Sequence, residues 1–279
     1  MGKRIAILFI GILLVLLGRG LFYYRGFYIA PPSEMPSYEQ IVAPLEPSTE
    51  YSDVYERGEG TVLLDLAHDN AFDIEELDVL IARLISRNMT VEFLSAEDGL
   101  EEELSEAGAF IIVCPQGEFT KEERETVEAF VNNGGKLLFI ADPTRPSQIN
   151  SISLKFDLIF EPDYLYNLKE NDANFRNIFI TEFEESEVTR GLKKIALYTA
   201  GSITSANCTA FVDQNTFSSL IETRKELSPM ALTSESKVLA IYDLTFITEP
   251  YNGILDNNQL ISNIASWLAS PAEEEEVAE

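Results

Sequence analysis

The chain has 279 residues, 20 of them basic and 47 acidic, so its formal net charge is −27 at pH 7. A hydrophobic fraction of 46% with 17 phenylalanines excludes a largely disordered chain. The excess of negative charge repels phosphate groups, so we expect no nucleic-acid partner for the folded part. The length suits one membrane segment plus one full α/β domain or two small domains.

The N-terminus predicts a single-pass membrane anchor over residues 1–25. Residues 5–18 are continuously apolar, and the stretch reaches the roughly 20 residues that cross a bilayer only if it continues past Arg19. No small-residue cleavage site follows, which favours an uncleaved signal anchor over a cleaved signal peptide. The basic pair Lys3 and Arg4 directly precedes the span, and short N-termini of this kind usually remain inside. We therefore expect the globular part on the extracytoplasmic side of the cell membrane.

Two further segments have no regular apolar period. Residues 26–58 hold five of the 12 prolines (Pro31, Pro32, Pro36, Pro44 and Pro47) and predict a proline-rich tether. Residues 271–279 form an acidic tail, which we expect to be disordered. The interval between them, 59–270, is the predicted globular domain.

Strand and helix patterns alternate from Thr61 onward. The predicted order is strand 61–66, helix 74–87, strand 90–94, helix 98–107, strand 109–114, helix from 120 and strand 136–142. This alternation favours parallel strands joined by right-handed crossovers. The helix at 74–87 has an apolar face made of Ile74, Leu77, Leu80, Ile81, Leu84 and Ile85.

The helix that follows residue 119 carries signals at both ends. Thr120 is the predicted N-cap and Glu123 completes a capping box. Gly134 and Gly135 can adopt the positive φ that ends a helix. The predicted core face consists of Val127, Phe130 and Val131.

The second half of the domain is less regular. Residues 151–237 contain strand patterns at 177–183 and 193–203, which predict a lobe or edge hairpins. A buried strand pattern returns at 237–243. A closing helix follows at 257–270, with Leu260, Ile261, Ile264, Trp267 and Leu268 facing inward.

Polar residues follow the predicted strands at their carboxyl ends, where open α/β sheets bind ligands. The candidate ligand-binding residues of this cleft are Asp65, His68, Asp69, Cys114, Glu118, Asp142 and Asp243. His68 is the only histidine of the chain. We expect a neighbouring carboxylate, Asp65 or Asp69, to hold one of its ring nitrogens and to raise its pKa.

Motifs for cofactors and catalysis are absent from the sequence. It has no G-x-G-x-x-G and no G-x-x-x-x-G-K-[ST], and an acidic cleft repels phosphate, so we expect no nucleotide or flavin cofactor. Cys114 is followed by Pro115, which has no N–H for an oxyanion, so we interpret Cys114 as a packing residue. A cation site built from Asp65, His68, Asp69 and Asp142 stays an alternative, although no H-E-x-x-H or EF-hand motif supports it. No catalytic residue is predicted.

Four segments resemble the GldG-like family of membrane-anchored domains of uncharacterised function. They are residues 62–94, residues 109–142, SEVTRGLKKIALYTAGSI at 186–203 and IYDLTFITEPYNGILDNNQLISNIASWL at 241–268. His68 falls on the family's D-x-x-H position, and Asp243, Asn258 and Asn263 fall on its closing motif. Tyr242 departs from the glycine that relatives often have before the aspartate. The resemblance covers about residues 60–269.

This resemblance implies a flavodoxin-like fold of the class I glutamine amidotransferase-like type. Its sheet is mostly parallel, helices cover both faces, and the catalytic elbow is missing. Some relatives are auxiliary parts of ABC-type transport systems, and the fold also occurs in intraflagellar-transport cargo proteins.

The leading hypothesis is a non-enzymatic, membrane-tethered binding or accessory domain whose partners are ABC transporter subunits or another protein. One alternative is a hydrolase or transferase that uses His68 with Asp65 or Cys114. Another is a cation-binding ectodomain.

Overall fold

The computed structural model describes residues 2–24, 43–48, 51–95, 99–220 and 226–270. The chain divides into two units, residues 1–41 and residues 42–279. The predicted tail at 271–279 and residues 26–42 of the predicted tether lie outside the described residues.

In the first unit, the described residues 2–24 form one helix, α1 (Gly2–Tyr24). From Gly2 to Phe22 it is long and apolar enough to cross a membrane. Its apolar side chains are exposed, as Ile7 (70%) and Val15 (71%) illustrate. The helix is therefore compatible with a membrane anchor or a signal sequence.

The second unit is a mixed α/β domain. Its helices are α2 (Asp78–Ser86), α3 (Leu100–Glu106), α4 (Lys121–Asn132), α5 (Asn150–Ser153) and α6 (Asn257–Ala269). Its strands are β1 (Thr61–Asp65), β2 (Thr90–Leu94), β3 (Ala109–Val113), β4 (Lys136–Ile140), β5 (Ile159–Phe160), β6 (Leu165–Asn167), β7 (Asn177–Phe183), β8 (Ile195–Tyr198), β9 (Ile203–Thr204), β10 (Cys208–Val212), β11 (Thr216–Ser218), β12 (Met230–Thr233) and β13 (Val238–Ile241).

The main sheet has nine strands in the order β2-β1-β3-β4-β13-β12-β10-β7-β8. The first five strands are parallel, as the alternation of strands and helices predicted. When β13 is counted as the fifth parallel strand, the order 2-1-3-4-5 is that of flavodoxin-like sheets. The other four strands continue the same sheet in antiparallel pairs. The irregular segment 151–237 therefore completes the main sheet rather than forming only a lobe or edge hairpins.

Helices cover both faces of the sheet, which confirms that part of the predicted fold. On one face, α2 and α6 pack on the sheet, and all five inward residues predicted for α6 are buried. On the other face, α3 and α4 contribute Leu104, Val127 and Val131 to a second apolar cluster. Buried leucine, isoleucine and valine side chains stabilise such layers by about 1.5–3 kcal/mol each.

Two local predictions differ from the structure. The segment predicted as one helix at 74–87 begins as a 3-10 turn, Ile74–Leu77, before α2. Ile74 in this tighter turn is 41% exposed, although it was placed on the core face. Ile85, near the end of α2, was also placed on the core face and is 59% exposed. The strand predicted at 193–203 is split into β8 and β9, because Thr199 between them adopts a left-handed conformation with φ of 66°.

The folded domain also begins earlier than residue 59. Residues 43–48 and 51–58 contain no helix or strand, yet they pack on the α/β domain. The backbone N–H of Leu45 donates to Asp172, and Asp53 pairs with the buried Arg87 of the turn after α2. This part of the predicted tether therefore belongs to the domain. Its polar side chains meet buried partners that are distant in sequence, which local composition does not reveal.

Candidate functional site

The loops after β1 and β3 form the candidate site. In this sheet β1 lies between β2 and β3. The connection from β1 leads to the strand on one side, and the next connection leads to the strand on the other side, so the order of strands reverses between β1 and β3. Ligands of open α/β sheets bind at the carboxyl ends of the strands at such a switch point. The two loops and the N-terminus of α4 meet there.

His68 is clamped between two carboxylates. Its Nδ1 lies 2.9 Å from Oδ1 and 3.1 Å from Oδ2 of Asp65, and its Nε2 lies 3.6 Å from Oε1 of Glu123. The ring also stacks on Phe119, with 3.7 Å between ring centroids. The predicted contact of His68 with a neighbouring carboxylate is confirmed, and the carboxylate is that of Asp65.

The charges of this clamp favour a protonated imidazole. Burial lowers the pKa of His68, but the hydrogen bond and charge of Asp65, helped by Glu123, outweigh burial and leave the pKa raised. Burial likewise raises the pKa of Glu123, and hydrogen bonds from Thr120 with the charge of His68 outweigh it and leave that pKa lowered. The two shifts agree with an ion pair across the site.

Backbone hydrogen bonds join the two loops directly. The N–H groups of Gln116 and Gly117 both donate to the carbonyl oxygen of His68, each at 2.9 Å. A Cβ atom at Gly117 would lie 3.4 Å from the His68 backbone, which is an ordinary van der Waals contact, so this approach does not require glycine. Asn70 ties the loop to β3, because its Nδ2 donates to Asp65 and to the carbonyl of Val113.

Two cavities lie beside the joined loops. One, of about 560 Å³, is lined by Leu66, Asp69, Asn70, Gln116 and Gly117. The other, of about 300 Å³, is lined by Ala67, His68, Asp69, Leu94, Ser95, Leu100, Gly117, Glu118, Thr120 and Glu123. Three of the seven candidate residues, His68, Asp69 and Glu118, line these cavities. Asp69 and Glu118 are exposed, and His68 is nearly buried.

Cys114 combines a bent backbone with an inaccessible thiol. Its φ of 41° is unusual for a residue other than glycine, and strained turns of this kind present nucleophiles at strand ends. The side chain is fully buried in the apolar core, which agrees with its predicted packing role. Burial, with a smaller contribution from Asp142, raises the pKa of the thiol to about 12. A thiol in this state is not a nucleophile at neutral pH.

Asp142 and Asp243 are buried and organise loops, so they do not line the open cleft that we expected. Asp142 accepts hydrogen bonds from Thr144 N at 2.8 Å and Leu244 N at 3.3 Å. Asp243 accepts from Tyr198 N at 2.6 Å and Thr245 N at 2.8 Å. Burial and the charge of Asp142 raise the pKa of Asp243 well above its usual range. Asp65 is also fully buried and acts behind His68.

The two asparagines that the family resemblance adds lie in packing contacts. Oδ1 of Asn258 accepts a hydrogen bond of 2.6 Å from Arg83, and Nδ2 of Asn263 donates to the carbonyls of Val188 and Arg190. These bonds attach neighbouring elements to α6. A ligand-binding role for any of the candidate residues stays a prediction.

Several residues of the site were not predicted. Glu123 was identified only as a cap, although its carboxylate also reaches His68. Arg145 makes a bidentate ion pair with Glu76 at 2.5 and 2.7 Å and donates to the carbonyl of Ala71. No local pattern signals this pair, because the two residues are 69 positions apart. In the ranges that the structure describes, no group of three or more His, Cys, Asp or Glu side chains is placed to hold a metal ion.

Comparison with known proteins gives a likeness of fold alone. No family model matches the sequence, and no curated protein matches it. Among solved structures, the mmIFT52 N-terminal domain is similar with a TM-score of 0.63 and 14% identity, over 76% of this chain and 99% of that domain. A putative ThuA-like protein from Bacteroides uniformis has a TM-score of 0.48 and 10% identity, over 81% of this chain and 97% of that protein. A putative ThuA-like protein from Parabacteroides merdae has a TM-score of 0.42 and 10% identity, over 79% and 93%.

Proposed function

We propose that this chain is a membrane-tethered binding domain without catalytic activity, auxiliary to an ABC-type transport system. The proposal places it with the GldG-like domains and gives it the class I glutamine amidotransferase-like variant of the α/β fold. In this proposal α1 is an uncleaved anchor and the domain lies outside the cytoplasm. Its partner or a small ligand contacts the two cavities beside the joined loops after β1 and β3, which we together call the crevice.

The state of Cys114 carries the proposal. The backbone at this strand end has the bend that presents a nucleophile in enzymes of related architecture, yet the thiol points into the core. Pro115 follows and cannot donate an N–H to an oxyanion. The bend therefore places Cys114 in the core rather than in the crevice, and the crevice has no nucleophile from this strand end.

His68 supports the same conclusion. A general base needs one ring nitrogen facing a nucleophile or substrate, but both nitrogens of His68 face carboxylates. An imidazole that is hydrogen-bonded to Asp65 at Nδ1 and faces Glu123 at Nε2 is suited to holding a loop rather than to accepting a proton from a substrate.

The lining of the crevice indicates which ligand groups fit. Asp69, Glu118 and Glu123 contribute carboxylates, and no lysine or arginine is among the described residues that line the two cavities. The N-terminus of α4, which would otherwise attract an anion, is already capped by Thr120 and Glu123. Neutral or cationic groups of a partner therefore suit this crevice better than phosphates.

Affinity purification of the full-length chain from cross-linked native membranes tests the accessory role. We expect an ABC ATPase and its permease to co-purify, and to be lost when Asp69 and Glu118 are both changed to lysine. Glu101→Lys and Glu102→Lys, together, provide a control of equal charge change on α3. Recovery of transporter subunits at control level with the crevice variant would contradict the binding site, and failure to recover any would contradict the accessory role.

The rival hydrolase hypothesis is tested separately on a panel of ester, amide and glycoside substrates. The Asp65–His68 pair is the observation that favours it. We expect no turnover above that of a His68→Gln variant. Turnover by the wild type that disappears in a folded His68→Gln protein would overturn the non-enzymatic proposal.

A further inference from the structure

Strand β2 forms one edge of the nine-stranded sheet, and β1 is its neighbour on the inner side. The N–H of Thr90 and the carbonyl of Leu94 bond to the residues that flank β1. Alternate residues of a parallel strand bond to the same neighbour, so the N–H and C=O groups of Val91 and Phe93 point away from β1. In the described part of the chain, no group bonds to these outward N–H and C=O groups.

The opposite edge of the sheet, β8, is closed by side chains. Oδ1 of Asn257 accepts from Ala196 N at 3.0 Å, and its Nδ2 donates to the Ala196 carbonyl at 2.9 Å, as a neighbouring strand would. Asp243 accepts from Tyr198 N at 2.6 Å, and all four residues of β8 are buried. Unpaired edge groups are a template for another strand. Of the two edges of this sheet, β2 is therefore the one that can accept a strand.

Exposed apolar side chains accompany the β2 edge. Phe93 is 44% exposed and pairs in register with Leu64, which places its ring on the sheet face that α2 covers. Arg83 of α2 donates to α6, so Ile81 and Ile85 lie on the opposite flank of the helix. Because α2 packs on β2, this flank lies toward the edge. Ile85 is 59% exposed and Ile81 is half-buried. We call Ile81, Ile85 and Phe93 the apolar ledge.

The charges at this edge are negative. Glu92 is exposed on the other face of β2, and Asp78 is exposed at the start of α2. Neither element contains a lysine, and their one arginine, Arg83, is bonded to α6. An antiparallel pair of two copies, in which Val91 bonds to Phe93, would place Glu92 opposite Glu92. Like charges in that position destabilise a sheet, so the edge suits a strand of another protein that carries a basic residue.

We propose that β2 accepts an extended segment of a protein partner as an additional strand of the main sheet. Backbone groups of the segment bond to Val91 and Phe93, its apolar side chains pack on the apolar ledge, and an intervening Lys or Arg pairs with Glu92. Main-chain bonds supply affinity in this mode of recognition, and alternate side chains supply specificity. Val91 and Phe93 do not line the cavities of the crevice, so the proposal does not depend on the function proposed for that site.

Selection of random peptides displayed on phage tests the proposal, with the full-length chain held in nanodiscs. We expect enriched peptides to share a Lys or Arg between two apolar residues. A synthetic consensus peptide should bind Glu92→Lys about three- to tenfold more weakly than the wild type, because an opposite charge pair becomes a like pair. A peptide with Glu in place of its basic residue should restore binding to Glu92→Lys. Phe93→Ser and Ile85→Ser should each weaken binding by at least about threefold.

Matched controls lie away from this edge. Glu185→Lys reverses an exposed charge after β7, and Leu154→Ser removes an apolar side chain that is 56% exposed. Both should bind the consensus peptide as the wild type does. Circular dichroism checks that every variant is folded.

N-methylated consensus peptides test the main-chain bonds. In an added strand, alternate N–H groups point toward β2 and the others point to solvent. Methylation of one alternate set should therefore weaken binding by at least about tenfold, whereas methylation of the other set should be tolerated. Equal effects of the two sets would refute strand addition.

The other outcomes also overturn the proposal. Absence of an enriched consensus, or a consensus without a basic residue, excludes the basic and apolar segment. Failure of the Glu peptide to restore binding to Glu92→Lys excludes the pairing with Glu92. Dimerisation of the wild type that Phe93→Ser abolishes would identify a second copy as the occupant.

Discussion

Replacing Asp53 by alanine should destabilise the α/β domain strongly, because it leaves a buried arginine without its counter-charge. Arg87 is fully buried, and its two terminal nitrogens lie 3.0 and 3.1 Å from the carboxylate oxygens of Asp53. Ser262 also donates to Asp53, and Arg83 lies 3.5 Å from it. The carboxylate therefore joins the segment before β1 to α6 and to the end of α2.

The magnitude follows from the burial of the two partners. Removing one partner of a fully buried ion pair costs about 3–5 kcal/mol. Asp53 is 19% exposed, and Arg87 keeps hydrogen bonds to Ser262, Ser266 and the carbonyl of Arg83. We therefore expect a somewhat smaller loss, about 2–4 kcal/mol, for Asp53→Ala. For a domain of this size the loss lowers the midpoint of thermal unfolding by roughly 5–15 °C.

Urea and thermal unfolding of residues 43–270, followed by circular dichroism, measure this effect. Glu125→Gln is the matched control, since it breaks the exposed ion pair with Lys121 within α4 and should cost less than about 0.5 kcal/mol. Equal destabilisation by the two substitutions, or a loss under about 1 kcal/mol for Asp53→Ala, would refute the reasoning.

The pH dependence gives a second check on the same residue. Burial raises the pKa of Asp53, but the hydrogen bonds from Arg87 and Ser262 and the charges of Arg87 and Arg83 outweigh burial, so the pKa is lowered on folding. A lowered folded-state pKa contributes stability above the unfolded value, about 3.9, and that contribution is lost as the pH falls through the folded value. The difference between the wild type and Asp53→Asn should be full at pH 7 and should shrink below about pH 4.

The remaining predictions concern the boundary and the crevice. A fragment that begins at residue 59 should be less stable than one that begins at residue 43, by at least the loss seen for Asp53→Ala. Equal stability of the two fragments in urea would support the domain boundary at residue 59 that composition predicted. Cys114 should react with a thiol reagent only after unfolding, while the half-buried Cys208 reacts first; rapid labelling of Cys114 in the native state would contradict its packing role. His68→Gln should lower the free energy of unfolding by about 1–2 kcal/mol at pH 5, and by less as the pH rises. A pKa that is raised on folding stabilises the protein fully below the unfolded value, about 6.5, and this contribution is lost above the folded value. A constant loss from pH 5 to pH 9 would show that the charge of His68 does not contribute.

Elements with strong local signals were predictable from the sequence. For α4, Thr120 and Glu123 make the predicted capping box, with reciprocal bonds of 2.7 and 3.2 Å. The closing helix was expected at 257–270 and spans Asn257–Ala269. Caps and apolar periods lie within a few residues of one another, so the sequence states them directly.

Long-range pairing was not predictable in the same way. Strands such as β10 and β12 have four or five residues, and their places in the sheet depend on partners far along the chain. The bond between Asp53 and Arg87 spans 34 positions and has no sequence signature. In the site, the contact between Asp65 and His68 was predictable because it spans three residues. The bonds from the N–H groups of Gln116 and Gly117 to the loop after β1 were not predictable, because residue types do not indicate where backbone groups bond.

Cys114 combines a strained backbone with a buried side chain, and its backbone hydrogen bonds show what holds the strain. The left-handed backbone at this position is strained for a side chain with a Cβ, and such strain persists only when the surroundings hold it. Here the carbonyl of Cys114 accepts from Ala71 N, and its N–H donates to Ile140, so the bend ties the loop after β1 to β4. The bend thereby positions the loop that carries His68 and Asp69 at the switch point. Packing and backbone hydrogen bonds are therefore enough to hold this strained turn, and a bend of this kind is weak evidence for catalysis when its side chain is buried.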